Sequence, residues 1–206
     1  MRLSVITDEI SMDLAHALGV MKEYGCTGAE IRSLWGTNIG DLTDEQTDQA
    51  RRLLDEAGME ASCLASPLFK CELPGFSTDS RGNTHQATER TQADQMDLLK
   101  QLHKRAKQFG TKFIRTFAYW RRVPLSAAVE DAIAAGMADA IKYAEDNDLL
   151  LLLENEHACY FGPGAECGKF IGRINSPALR GCWDPGNAFF AGEQAFPVGY
   201  EAMKPY

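Results

Sequence analysis

Five consecutive leucines, Leu149 to Leu153, run directly into Glu154-Asn155-Glu156-His157. A buried strand that ends in carboxylates must satisfy them with a cation, a hydrogen-bond network or water. In an extended chain side chains alternate, so Glu154 and Glu156 point one way and Asn155 the other. That pattern points Glu154 toward metal or substrate binding, against the plainer readings of a solvated strand end or a pair with Arg115. Similar residues follow other short apolar runs: Thr7-Asp8-Glu9, Glu30 with Arg32, Lys70, Arg115 and Asp184. Asp184, within Trp183-Asp184-Pro185-Gly186-Asn187, taken alone reads as the first residue of a turn. Glu30 with Arg32 fits a substrate contact and a local ion pair equally well. His157 with Cys159 makes two zinc-type ligands without a second pair at zinc-finger spacing, so structural roles are expected. Cys159 has only a nearby histidine to recommend it as a nucleophile.

Short strands alternating with helices must position these groups. Strands are expected at Leu3–Ile6, Ala29–Ile31, Met59–Leu64, Lys112–Phe117, Leu149–Glu154 and Leu179–Trp183. Ser66-Pro67 is expected to break the third. Ser11 is expected to cap a helix carrying Leu14, Leu18 and Met21, with Gly25 as its stop. Thr43 with Gln46 forms a capping box for a helix ending at Gly58. Further helices carry Met96 to Phe109, closed by Gly110, then Ser126 to Asp146 and Ala165 to Ile174. The polar stretch from Glu72 to about Thr88 is long for a βα connection, a length that points to a functional or mobile loop. No repeat or linker interrupts the chain, so residues 1–206 are expected to form one domain. Six βα-type units imply a parallel sheet, either doubly wound or a barrel. No GxGxxG or GxxxxGK[ST] loop follows a strand, which weakens a nucleotide-binding fold. Ligands in either architecture bind at the carboxyl ends of the strands, where the polar residues collect.

Of 206 residues, 45% are hydrophobic, 24% charged and 9% aromatic, which excludes collagen-like, coiled-coil and largely disordered chains. Lys and Arg total 21 against 29 Asp and Glu, and the net charge of −8 argues against nucleic-acid binding. The group His103, Lys104, Arg105 and Lys107 reads as the solvated, cationic end of a helix. No apolar run reaches the roughly 20 residues a membrane span needs, and Asp8 and Glu9 interrupt any signal-peptide core. Six cysteines without a CxxC pair, several in apolar surroundings such as Cys63 and Cys182, fit a reduced cytoplasmic protein.

Together, Thr7-Asp8-Glu9-Ile10-Ser11, Gly28-Ala29-Glu30-Ile31-Arg32, Ser66-Pro67-Leu68-Phe69-Lys70, Leu153-Glu154-Asn155-Glu156 and Trp183-Asp184-Pro185-Gly186-Asn187 occur in order at strand ends. The chain thus resembles, over essentially its whole length, the sugar phosphate isomerase/epimerase family of xylose isomerase-like TIM barrels, which includes endonuclease IV. The resemblance implies an α/β fold of the (β/α)8-barrel type with a divalent metal, Mn²⁺, Mg²⁺ or Co²⁺, at the mouth. In such barrels a Glu, an Asp, a His and a Glu after strands five to eight hold the metal. Glu154 and Asp184 match the first two, and Glu154 would be one acid/base for proton transfer next to a carbonyl. Glu30, Arg32, Lys70, Arg115, Glu156, His157 and Asn187 become candidates for binding a sugar or sugar-phosphate-like substrate.

About six of eight βα units are expected, because the last two ligands have no counterpart: His16, His85 and His103 fall on helices or in the long loop. The expectation is a barrel lacking its last two units, from a truncated gene product or a fragment, with weak metal affinity. The two outer strands would then be unpaired unless another copy of the chain covers them. A sugar or cyclitol isomerase, epimerase or dehydratase-like enzyme is the leading reading. A non-catalytic sugar-binding or assembly module is the alternative. An endonuclease IV-like enzyme would need a histidine-rich metal cluster and a basic track that four scattered histidines and an acidic charge do not provide.

Overall fold

The structure, a computed structural model, describes residues 2–76 and 84–206. Its elements in chain order are β1 Ser4–Ile6, α1 Leu14–Glu23, β2 Gly28–Ile31, β3 Ser33–Leu34, β4 Thr37–Asn38, α2 Asp44–Ala57, β5 Glu60–Leu68 and α3 Gln95–Phe109. There follow β6 Phe113–Thr116, α4 Ala127–Asp146, β7 Leu150–Glu154, α5 Gly164–Ile174, β8 Leu179–Cys182, α6 Pro185–Phe190 and α7 Tyr200–Met203. Strand neighbours follow the order β1-β2-β5-β6-β7-β8 in a six-stranded sheet, while β3 and β4 form a small antiparallel pair. β1 with β2, β2 with β5 and β7 with β8 are parallel, as crossover helices between successive strands require. No helix among the described residues is long and apolar enough to cross a membrane.

Contacts cluster into two compact units, one of residues 2–67, 84–89 and 97–114, the other of 68–76, 90–96 and 115–206. In the first, α2 is built as its sequence dictates. Thr43 N–H donates to Gln46 Oε1 at 2.9 Å and Gln46 N–H to Thr43 Oγ1 at 3.2 Å, and Gly58 closes the helix in the left-handed region at φ +69°. At α1 the cap is Asp13, whose carboxylate accepts from Ala15 and His16, while Ser11 accepts from Asp13. The expected Ser11 cap is displaced by two residues because a carboxylate answers the positive helix end better than a hydroxyl does. β5 also runs through Ser66-Pro67 instead of stopping there. Its pairing with β2 ends at Ile31 opposite Leu64, so on that side Pro67 owes no ladder donor.

The basic group on α3 divides. Lys104 is exposed and pairs with Asp44, but Arg105 is buried and donates to the carbonyls of Gly40 and Leu42. His103 is buried as well. This corrects the solvated-face expectation: a guanidinium can close orphan carbonyls of a loop that water cannot reach. Burial holds His103 below its usual titration range, with Lys107 adding to the effect. The unfolded chain therefore takes up a proton there before the folded one does, and stability falls as pH drops through the unfolded value near 6.5. Urea midpoints should fall less between about pH 7 and 5 for His103→Gln than for wild type; parallel curves would refute the assignment.

In the second unit α5 presents Gly164, Gly168 and Gly172 along one face, at the four-residue spacing that keeps side chains in register. A Cβ on Gly164 would lie 2.7 Å from the Gly199 carbonyl oxygen, and one on Gly168 would lie 3.1 Å from the Ala202 carbonyl carbon. The chain after α6 therefore packs backbone to backbone on α5. It also reaches the outer edge of β8, where Gly181 N–H donates to the Tyr206 carbonyl at 3.3 Å. The expected bare edge of this strand thus has a backbone partner within the chain. Cys182 is half-buried, less enclosed than its apolar neighbours imply, and all six cysteines are thiols.

Candidate active site

The second unit brings seven of the candidate residues together. Glu154 is the last residue of β7, 8% exposed, with Oε2 at 2.9 Å from Nη1 of Arg115 on β6. Although ion-paired, this oxygen accepts no aligned hydrogen bond among the described residues. Asn187 Nδ2 donates to Glu154 Oε1 at 3.3 Å, and the Asn187 side-chain oxygen lies 2.7 Å from His157 Nδ1. Glu156 takes the other cation: Lys70 Nζ is 3.1 Å from its Oε2, and His157 Nδ1 is 3.1 Å from its Oε1. Alternation past the end of β7 therefore sends Glu154 and Glu156 to one side, as expected.

The intervening Asn155, which the sequence argument leaves idle, is the strap of the site. Its side chain donates to the carbonyls of Gly162 at 3.1 Å and Asp184 at 2.8 Å and accepts from Asp184 N–H at 2.7 Å. It is fully buried, so these bonds satisfy it and tie the end of β7 to the residue after β8. Asp184 does more than begin a turn. It caps α6, its Oδ1 accepting from Asn187 N–H at 2.8 Å with Pro185 in the first helical turn. That cap aims Asn187 at Glu154.

Lys70 is held by aromatic rings. Its ammonium lies 4.5 Å from the Phe117 ring centre and 5.3 Å from that of Trp120, and Arg115 stacks on Phe117 at 4.9 Å. Two bulky residues, Phe69 and Tyr119, adopt φ of +59° and +61°, a conformation that costs about 1–2 kcal/mol each. Both are buried and meet edge to face at 5.4 Å, and Phe69 N–H donates to Gln95 Oε1 at 2.7 Å. This packing holds the strained turns that follow β5 and β6, and each turn delivers the next residue, Lys70 or Trp120, to the site. Sequence reasoning misses Phe117, Trp120 and this strain. Aromatic residues after a strand read as core, and only Lys70 within Leu68-Phe69-Lys70 marks the place.

The environments drive the two glutamates apart. Burial pushes the Glu154 carboxyl up by more than Arg115 pulls it down, and Glu156 and Asp184 add to the rise. Burial also acts against the Glu156 anion, but there the Lys70 charge and hydrogen bond win, and the carboxyl stays below its usual range. One carboxyl able to exchange a proton beside one held ionised is the arrangement that acid–base chemistry uses. Burial raises the Cys159 thiol well above its usual range, which disfavours the thiolate a nucleophile needs.

Glu30 and Arg32 lie in the first unit. Arg32 Nε donates to Asp8 Oδ2 at 2.9 Å, and its Nη2 pairs with Asp8 and Glu9. The acidic partners of Arg32 are thus the residues after β1. For a divalent cation, Glu154 and Asp184 supply two hard oxygen donors, and Glu154 Oε2 retains an unused acceptor direction. They fit half of a four-ligand shell: no group of three or more metal-type side chains forms among the described residues. The middle of the Glu72–Thr88 loop, residues 77–83, and with it the question of a mobile cover, lies outside the described residues.

Strands joined by helices, ending in polar groups and lying in simple sequential order, follow the TIM-barrel pattern and not that of a doubly wound sheet, whose strand order reverses. The chain belongs to the xylose isomerase-like TIM barrel family, whose profile matches residues 18–204. Among solved structures it is similar to the probable 3-DHS dehydratase AsbF from Bacillus anthracis, with TM-score 0.72, 18% identity, and coverage of 100% of this chain and 70% of that one. A D-psicose 3-epimerase studied in the presence of D-fructose matches at TM-score 0.68 and 13% identity, over 98% of this chain and 70% of that one. A xylose isomerase-like protein from Mycobacterium smegmatis in complex with magnesium matches at 0.66 and 17%, over 93% and 63%. No curated protein sequence matches the chain. At these identities the likeness establishes the fold.

Proposed function

We propose that this chain carries the acid–base site of a metal-dependent sugar or cyclitol isomerase or epimerase, with dehydration as neighbouring chemistry. The observation that carries this reading is the pair of glutamates in different settings: Glu154 buried at 2.9 Å from Arg115 with its carboxyl raised by burial, and Glu156 held below its usual range by Lys70 at 3.1 Å. Glu154 would take the proton from a carbon next to a carbonyl, steadied as an anion by Arg115 and oriented by Asn187. Lys70, Glu156 and His157 would hold hydroxyl or phosphate oxygens of the substrate. Glu154 and Asp184 would hold the divalent ion, which supplies positive charge where the substrate oxygen becomes negative. The family and its epimerase and dehydratase members support this class of chemistry. Six cysteines present as thiols, five of them buried, support a reducing, cytoplasmic setting.

Titration calorimetry with Mn²⁺ tests the reading. Wild type should bind, and Glu154→Gln should bind at least about tenfold more weakly; equal affinities would remove Glu154 from the site. A second reading, a non-catalytic sugar-binding module, draws on the Arg115 guanidinium that already neutralises Glu154. Tight sugar binding without isomerisation in the presence of Mn²⁺ would favour it.

A further inference from the structure

We propose that Phe190, backed by His157, is an aromatic platform on which the carbon face of a sugar or cyclitol ring rests at this site. The proposal rests on the reading of the mouth as a sugar site and names what selects the substrate there. α6 is short and starts at the Asp184 cap, so its end is fixed relative to the site. That end carries Phe189 and Phe190, which are 71% and 73% exposed. A single exposed ring is ordinary, but two adjacent ones form a contiguous apolar patch, the kind of surface that marks an interaction site.

Phe190 differs from the other exposed rings in what it touches. Its ring centre lies 5.5 Å from that of His157 at an interplanar angle of 43°. His157 bonds Asn187, and Asn187 bonds Glu154, so three linked side chains lead from Glu154 to an exposed aromatic face. Phe189 stands edge-on to Phe190 at 5.8 Å and buttresses it. A polyol ring presents hydroxyls at its rim and C–H groups on its faces. At this site the rim would meet Lys70, Glu156 and His157, and a C–H face would meet Phe190. Phe196, 71% exposed, pairs instead with Tyr200 and has no such link to Glu154. The substrate class is therefore a ring-form polyol with one apolar face uncovered, bound without an anionic group at the Phe190 end.

Calorimetric titration of D-fructose and of myo-inositol in the presence of Mn²⁺, using the full chain, tests this. At least one should bind wild type. Phe190→Ala should weaken that binding about fivefold, an aromatic contact's usual worth, while Phe190→Trp and Phe196→Ala should stay near wild type. Equal binding by Phe190→Ala, or Phe190→Trp as weak as Phe190→Ala, overturns the platform and leaves the acid–base site standing. Concentration-dependent self-association of wild type that Phe190→Ala abolishes also overturns it, because a second copy of the chain would then cover the ring. If neither polyol binds wild type, both the platform and the sugar-site reading fail, whereas the Mn²⁺ titration of Glu154→Gln judges the carboxylate site separately.

Discussion

Arg115→Met is expected to destabilise the protein by about 3–5 kcal/mol in urea denaturation, the usual result of leaving one charge of a buried pair alone. Both side chains are about nine-tenths buried, and the Arg115 guanidinium is the cation 2.9 Å from Glu154. Without it, burial together with Glu156 and Asp184 would leave Glu154 ionised only at a large cost. The double variant Arg115→Met, Glu154→Gln should recover most of the loss, because it removes the orphaned charge along with its partner. A double variant no more stable than Arg115→Met alone would mean that Arg115 serves packing over Phe117 instead of charge balance. The same pair of variants bears on function, since whatever binds at Glu154 must compete with Arg115.

Gly168→Ala is expected to cost about 1–3 kcal/mol or more, as overpacking does where the neighbour cannot move aside. The new methyl would meet backbone, the Ala202 carbonyl, and not the flexible end of a side chain. Gly19→Ala on α1 is the control, because nothing stands within 4 Å of the added methyl. Alanine there should stabilise by about 0.5–1 kcal/mol, from its better helix propensity alone. Equal behaviour of the two variants would mean that the segment after α6 does not pack on α5 as described.

The candidate site was half legible. Polar residues at strand ends were legible because the end of an apolar run is a local signal, and Glu154, Glu156, Lys70, Arg115, Asp184, His157 and Asn187 do come together. Their pairing was legible only in part: Glu154 with Arg115 stood as a plainer reading, and the structure bears that pair out, whereas Glu156 with Lys70 went unread. Glu154 to Arg115 and Glu156 to Lys70 span 39 and 86 positions, counted as 154 − 115 and 156 − 70. Asn155 was expected to point away from Glu154 and Glu156, and its role as a strap depends on Gly162 and Asp184 arriving there. The glycine face of α5 went unread for the same reason: spacing reveals a small-residue stripe but not the backbone that fills it.

What the amino-acid order determined by itself is the succession of short strands and helices and several of their ends. Alternation, helical period, the Thr43–Gln46 box and the Gly58 stop all act within a few residues, so local hydrogen bonds and side-chain spacing suffice. Where a local rule misled, at Ser11 and at Pro67, a nearby carboxylate or the end of a neighbouring strand outweighed it. Only the tertiary structure decided which glutamate is raised and which is held ionised. Both stand within three residues of chain with the same chemistry, and burial and the nearest cation, which separate them, are sums over segments distant in sequence.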